Sequence, residues 1–260
     1  MKYFVLNSKN YQELEMKLTR FDSLFSYPLG EDSFTISHGD HYFKFFERMG
    51  ELRYSGYEVN GEVVVVGASI LRTINGKKVW YLCDLKVHPD FRGLHLTTKL
   101  MTRSFIQQYL KSSRCYGISM NSVGQKENRT SRILRHFGFN FFKTGPELNI
   151  YSVGLNELEG ITSTLTDYKG NISKVSLEGI KDIILKSTSE AMSLIHLEFN
   201  KEHIPSGKPC KDSQFMFSSV VGSGLSRALE EKGIEPSASA TIIHHGMDNW
   251  DWGFVHTSEI

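Results

Sequence analysis

The chain has almost no net charge. Its 30 Lys and Arg stand against 29 Asp and Glu, a formal +1. That balance offers no global attraction to nucleic acid or to an acidic membrane. It has only three cysteines, Cys83, Cys115 and Cys210. These are too few and too scattered for a disulfide framework or a zinc knuckle. Cys83 and Cys115 fall in runs that read as strands, where a free cysteine acts as a small core residue. No apolar run approaches the ~20 residues needed to span a bilayer. The opening Met1-Lys-Tyr-Phe-Val-Leu6 is too short for a secretion signal. A Walker loop is absent, which leaves phosphoryl transfer without support. A soluble, reducing, cytoplasmic setting without a metal is the expectation.

What remains is an ordinary globular composition, 40% hydrophobic over 260 residues. That length suits one large domain or two small ones and a sizeable core. Residues 11–21 read as a helix with Leu14, Leu18 and Phe21 on one face. Pro28-Leu-Gly-Glu-Asp32 reads as a loop, and Tyr42–Met49 as a short helix. Two Asn-Gly dipeptides, Asn60-Gly61 and Asn75-Gly76, lie between β-rich runs and mark tight hairpins. They predict strands over 52–59, 62–73 and 79–88. In the third, Val79, Tyr81, Cys83, Leu85 and Val87 share one face, and Trp80, Leu82, Asp84 and Lys86 the other.

A helix is predicted over 96–110, with Leu96, Leu100, Met101, Phe105, Tyr109 and Leu110 as its apolar stripe. A strand over 115–121 follows, then a helix over 127–137 ended by Gly138. Two strands, 139–143 and 148–155, flank Gly145-Pro146. The order β-β-β-α-β-α-β-β is mixed α/β, with a mostly antiparallel sheet flanked by helices. Residues 160–170, rich in Thr, Ser and Gly, read as a linker. Beyond it a helix over 176–187, strands near 192–199 and 213–221, a helix over 224–232 and a hairpin through 246–249 are expected. This divides the chain into domains 1–157 and 170–260, the second an additional α/β region with no convincing repeat of the first, its order of elements compatible with a shortened relative of the same fold.

The stretch Leu85-Lys-Val-His-Pro-Asp-Phe-Arg-Gly-Leu-His-Leu-Thr97 carries the most chemistry. An apolar strand breaks at Pro89, turns through Arg92-Gly93 and opens into an amphipathic helix. Such a junction leaves backbone N–H groups unpaired at a helix start, a ready site for phosphate. The run resembles the pyrophosphate loop of the Gcn5-related N-acetyltransferases (GNAT), Val-x-Pro-x-x-Arg-Gly followed by a helix. A second segment, Asn128-Arg-Thr-Ser-Arg-Ile-Leu-Arg-His-Phe-Gly-Phe139, is similar to that family's later helix, and stands one strand beyond the first.

The resemblance covers about residues 50–155. It implies an acyl-coenzyme A-dependent N-acyltransferase, with acetyl-coenzyme A as co-substrate and a small-molecule or peptide amine as acceptor. The N–H groups of Gly93, Leu94, His95, Leu96 and Thr97 would hold the pyrophosphate, flanked by Arg92. Leu85, Lys86, Val87, Asn128 and Ser131 would also contact the cofactor. For Asn128 the residues allow a plain helix N-cap equally. Arg129, Arg132 and Arg135 read as a 3′-phosphate contact or as a solvated face. Asp84 would be the general base; the other reading is a salt bridge to Lys86. Asn121 and Ser122 would line the acyl site. The chain departs from the family pattern at His95 and Thr97, where it has Gly and Gly or Ala. It departs again at Leu134, where many members carry a tyrosine acid.

The rivals are weaker. Gly222-Ser-Gly-Leu-Ser-Arg227 has Arg in place of the third glycine of a dinucleotide loop. His244 and His245, with Asp248, Asp251 and His256, suggest a metal, but adjacent histidines in a strand face opposite ways. A non-catalytic acyl-coenzyme A-binding or interaction module on the same fold stays open beside the enzyme, as does a homodimer.

Overall fold

A computed structural model describes residues 1–6, 10–12, 14–29, 32–121, 128, 130–132, 141–200 and 212–260. The chain divides into two compact units. One holds Met1–Gly117, Gly179–Ala191 and His245–Met247; the other holds Ile118–Glu178, Met192–His244 and Asp248–Ile260.

In the first unit β1 (Lys2–Leu6), β4 (Glu51–Val59), β5 (Glu62–Ile74) and β6 (Lys77–Val87) pair antiparallel in that order. The start of β7 (Cys115–Met120) then pairs parallel with β6. Both Asn-Gly turns form as read. Asn60, Gly61, Asn75 and Gly76 all have positive φ, which suits a type I′ hairpin. Helices α1 (Glu15–Asp22) and α2 (Lys44–Glu47) form where expected, burying Leu18 and Phe21, and Phe45 and Phe46. Of the stretch read as a loop at 28–32, Pro28 and Leu29 lie in β2 (Tyr27–Leu29) and Asp32 in β3 (Asp32–Ser37), and residues 30 and 31 lie outside the described residues. With β10 (Asp182–Leu185), β2 and β3 make a small separate sheet, β10-β3-β2.

Helix α3 (Leu96–Lys111) forms, but its buried face is not the expected stripe. Leu96, Leu100 and Ser104 are buried, whereas Phe105, Tyr109 and Leu110 are exposed. The inward line is 96-100-104-108. Trp80 Nε1 donates to the Gln108 carbonyl at 2.8 Å, and Gln108 Nε2 donates to Ser69 Oγ at 2.8 Å. Polar groups on that line are satisfied by the sheet, so hydropathy alone misassigned the face.

The second unit has a mixed, mostly antiparallel sheet, β13-β8-β12-β11-β9. Its strands are β8 (Lys143–Val153), β9 (Ile172–Ser176), β11 (Leu194–Phe199), β12 (Gln214–Val220) and β13 (Ala238–His245). Strands over 139–143 and 148–155 were expected around Gly145-Pro146; one strand, Lys143–Val153, runs through Gly145 and Pro146, Phe141 and Phe142 are not in a strand, and residues 139 and 140 lie outside the described residues. The ladder with β13 shifts register here, from Glu147↔Thr241 to Thr144↔Ile243, so Pro146 sits where no ladder donor is required.

The expected linker at 160–170 is the body of α4 (Leu155–Lys169), which buries Leu158, Ile161 and Leu165. Thr162 and Thr166 turn their hydroxyls back to carbonyls one turn earlier, so loop-like composition is absorbed into a helix. The helix expected over 176–187 is absent; β10 lies there instead. Helix α5 (Gly224–Glu231) follows β12. A side chain at Gly224 would strike the Tyr168 ring at 2.6 Å, a packing reason for this glycine. No second strand follows Gly246, so the expected hairpin gives way to short 3-10 turns at Trp252–Phe254 and Thr257–Glu259. The core of this unit gathers Tyr151, Leu165, Phe215 and Phe217, with Tyr151 and Phe217 stacked at 4.9 Å.

Candidate active site

Strand β6 ends at Val87, which packs on a cluster of Tyr57, Val64, Val65, Leu96 and Leu100. Next comes a 3-10 turn at Pro89–Phe91, fixed by His88 Nδ1 accepting from the Asp90 N–H at 3.2 Å. Gly93 (φ +83°) and His95 (φ +54°) are both left-handed, and α3 starts at Leu96. The departure at His95 therefore keeps the turn a glycine would take without strain, at a cost of about 1 kcal/mol. Arg92, Gly93, Leu94 and His95 are exposed. Among the described residues, the N–H groups of Gly93, Leu94, Leu96 and Thr97 make no backbone hydrogen bond. Residues 92–95 thus form an exposed turn that leads into the first residues of α3, Leu96 and Thr97, a donor-rich helix start that can hold an anion.

Just upstream, β6 carries a bulge. Val66 faces Lys86 and Ala68 faces Cys83, so Gly67 alone opposes both Asp84 and Leu85. Asp84 takes the left-handed conformation, φ +51°. The simple alternation expected past Cys83 is broken, and Leu85 is exposed. Pairing with β7 is confined to Trp80↔Cys115, Tyr81↔Tyr116 and Leu82↔Gly117. Beyond that point β6 runs on for five residues without β7.

The bulge delivers Asp84 into a buried polar cluster. Lys86 Nζ lies 2.6 Å from Asp84 Oδ1 and also bonds Asp22. Tyr54 donates to Asp84 Oδ2 at 2.6 Å, and Tyr42 does so at 3.3 Å. His38 Nε2 stands 3.7 Å from the second Asp22 oxygen. Burial pushes the Asp84 carboxyl up, but the Lys86 charge and the Lys86 and Tyr54 hydrogen bonds outweigh it, leaving it below its ordinary value. Burial raises Asp22 and lowers His38 to about 4. Lys181 is lowered to about 8, first by burial and then by the Lys86 charge. Its ammonium sits 4.6 Å from the centre of the Phe45 ring. Burial raises the Cys83 thiol, and raises Cys115 to about 12, so both are inert thiols.

The cluster is a held, ionised carboxylate. It can attract an ammonium group or accept a proton from a neutral amine. The salt bridge to Lys86 is present, and it makes Asp84 a weaker base than a free carboxylate. Asp22, His38, Tyr42, Tyr54 and Lys181 were not picked out from the sequence. Their one sequence signal is polarity at positions where the surrounding pattern is apolar, as at Asp22 beside Phe21.

Asn128 and Ser131 lie in the second unit. Asn128 is buried and caps a helical turn, accepting from Thr130 N at 2.9 Å and Ser131 N at 3.2 Å. Its amide nitrogen is within reach of three oxygens, those of the Ser119 and Met120 carbonyls and Asn121 Oδ1. The N-cap reading thus accounts for the whole side chain. Ser131 is buried, and its hydroxyl has no hydrogen-bond partner among the described residues. Asn121 accepts from Thr241 at 2.7 Å and donates to Ser239 at 3.0 Å. Ser122, Arg129, Leu134, Arg135 and Gly138 lie outside the described residues. In α5, Ser223 accepts from Ser226 N as an ordinary N-cap. Among the described residues no group of three or more His, Cys, Asp or Glu could hold a metal ion. No described helix is long and apolar enough to cross a membrane.

Residues 19–139 match a model described as Acetyltransferase (GNAT) family. A curated relative, uncharacterized protein L340 of Acanthamoeba polyphaga mimivirus, is 24% identical over 239 residues, covering 84% of this chain and 68% of its own. Among solved structures, a tandem GNAT protein from the clavulanic acid biosynthesis pathway matches with a TM-score of 0.55 at 9% identity. That match covers 94% of this chain and 97% of the other, and shows that the two share a fold.

Proposed function

Residues 19–139 match the GNAT acetyltransferase family, and from that premise we propose that the chain is an acyl-coenzyme A-dependent N-acyltransferase, with acetyl-coenzyme A as donor and an amine as acceptor. The observation that carries the reading is the 92–97 loop. Its left-handed Gly93 and His95 shape the turn at the start of a sixteen-residue helix, where the N–H groups of Gly93, Leu94, Leu96 and Thr97 make no backbone hydrogen bond among the described residues. The dipole of that helix favours a pyrophosphate there. The departure at Thr97 takes away no donor, because the contact is made by backbone.

The reaction joins the acceptor nitrogen to the thioester carbonyl carbon and breaks the carbon–sulfur bond. Asp84 takes the proton lost by the amine, and water supplies the proton to the departing thiolate. Lys86 and Tyr54 keep Asp84 ionised for this. A second reading, a donor-binding module without catalysis, is favoured by the Asp84–Lys86 ion pair, because each step that lowers the carboxyl's pKa lowers its strength as a base.

Acetyl-coenzyme A should raise the melting temperature, since a ligand that binds only the native state stabilises it. Gly93→Val, which forces a β-branched residue into φ +83°, should abolish that shift. No shift in the parent at millimolar ligand would end the donor reading. Release of free thiol with one member of an amine panel separates the enzyme from the binding module.

A further inference from the structure

The second unit repeats, in its own sheet, the strand arrangement around Asp84. Strands β11 and β12 are parallel and pair only at Leu194↔Gln214, Ile195↔Phe215 and His196↔Met216. Strands β6 and β7 likewise pair at three positions, ending at Leu82↔Gly117. Two residues beyond the last pair stands a buried carboxylate in each case, Asp84 in β6 and Glu198 in β11. Each of these strands has an antiparallel neighbour on its other side, β5 for β6 and β9 for β11.

The space opened by β11 and β12 is filled by the chain itself. Thr257 Oγ1 donates to the Met216 carbonyl at 3.1 Å and lies 3.0 Å from His196 Nδ1. Ser218 Oγ donates to the Val255 carbonyl at 2.8 Å. Ser258 Oγ donates to Glu198 Oε1. The segment therefore bridges both strands from the point where they stop pairing, and it covers the carboxylate. Trp252, Val255, Thr257, Ser258 and Glu259 are all buried.

The loops after the two strands also differ. Between β6 and β7 lie 27 residues, 88–114, which hold the donor loop and α3. Between β11 and β12 lie 14 residues, 200–213, too few for a loop and a sixteen-residue helix. Their sequence, Asn-Lys-Glu-His-Ile-Pro-Ser-Gly-Lys-Pro-Cys-Lys-Asp-Ser, contains no Arg-Gly.

We propose that residues 252–260 are a built-in occupant of a second, closed donor cleft, so that one chain takes up a single acyl-coenzyme A, at the 92–97 loop. The inference rests on the donor reading of the 92–97 loop. The second cleft keeps the strand geometry and the carboxylate, but the hydroxyls of Thr257 and Ser258 already take up the Met216 carbonyl and Glu198. Its role is to lock the second unit rather than to bind a thioester.

Two measurements on the full chain test this. Calorimetry with acetyl-coenzyme A should give one site per chain, and Gly93→Val should remove all binding. Two sites, or binding that survives Gly93→Val, would overturn the proposal. Hydrogen exchange tests the occupant without any ligand. Amides of 252–260 and of β11 should be protected in the parent. Thr257→Val with Ser258→Ala should speed exchange in both segments together by at least about tenfold, as expected for loss of a hydrogen bond to an acidic group. Amides of β4–β6 should not change. Parent exchange in 252–260 as fast as in an unstructured peptide, or a variant that loosens 252–260 but not β11, would refute the lock. Absence of any binding in the parent would sink the donor reading, and with it the donor-cleft interpretation, while exchange would still decide whether 252–260 locks β11.

Discussion

Lys86→Met is the most direct probe of the candidate site. The ammonium of Lys86 is 8% exposed and sits between Asp84 and Asp22, themselves 8% and 7% exposed. Methionine fills nearly the same volume, so the main loss is the charge. Two buried carboxylates would then face each other without a cation. At an effective dielectric near 20, unit charges about 4 Å apart interact by about 4 kcal/mol. Removing one partner from a buried pair typically costs about 3–5 kcal/mol. Urea unfolding at pH 7 should therefore show a loss of about that size.

The loss should depend on pH in a definite direction. In the parent, Asp84 has a depressed pKa, so its contribution is present above the ordinary carboxyl pKa and disappears as pH falls through the depressed one. In the variant Asp84 loses the charge that holds its pKa down and Asp22, already raised by burial in the parent, rises further, so acid relieves the penalty. The difference between parent and variant should shrink steadily from pH 7 to pH 4. Asp22→Asn, introduced with Lys86→Met, should recover more than about 1 kcal/mol, because the two sites share one network. A loss under about 1 kcal/mol that is flat from pH 7 to pH 4 would refute the buried-triad account.

Asp84→Asn should lower turnover by ~10²–10⁴ while acetyl-coenzyme A affinity stays near the parent value; equal turnover would leave Asp84 as a structural ion-pair partner only. His38, neutral in the fold with a pKa lowered to about 4, costs stability as pH falls from its ordinary 6.5 toward 4. That loss should reach about 3 kcal/mol and be missing in His38→Gln, as read by denaturation at a series of pH values. Gly56→Ala should destabilise the first unit by about 1–3 kcal/mol, since an added Cβ would meet the Val65 carbonyl at 2.4 Å and the Phe4 ring at 2.5 Å. A melting temperature within a degree of the parent would contradict that packing.

Local chemistry by itself determined the hairpins, the 92–97 loop and the helix that follows it. Asn-Gly requires positive φ at both positions, and both turns have it. The strand break at Pro89 and the turn at Gly93 are set by residues adjacent in sequence, so β6, the loop and α3 appear within a residue or two of their predicted ends. Composition misled where a polar residue could be satisfied at a distance or by its own helix. The threonines of α4 bond back to earlier carbonyls, and Ser104 and Gln108 face the sheet beside Leu96 and Leu100.

Only the tertiary structure decided the setting of Asp84. A bulge depends on the register of a neighbouring strand, and no residue within β6 announces it. Besides Lys86 in the same strand, the carboxylate's partners are Tyr54 of β4 and Tyr42 before α2, 30 and 42 residues away in sequence, and the Lys181 charge comes from farther still. The same holds for residues 252–260, which read as the arm of a hairpin. They lie instead along β11 and β12, because two parallel strands that stop pairing leave backbone groups and a buried carboxylate needing partners, and Thr257 and Ser258 supply them.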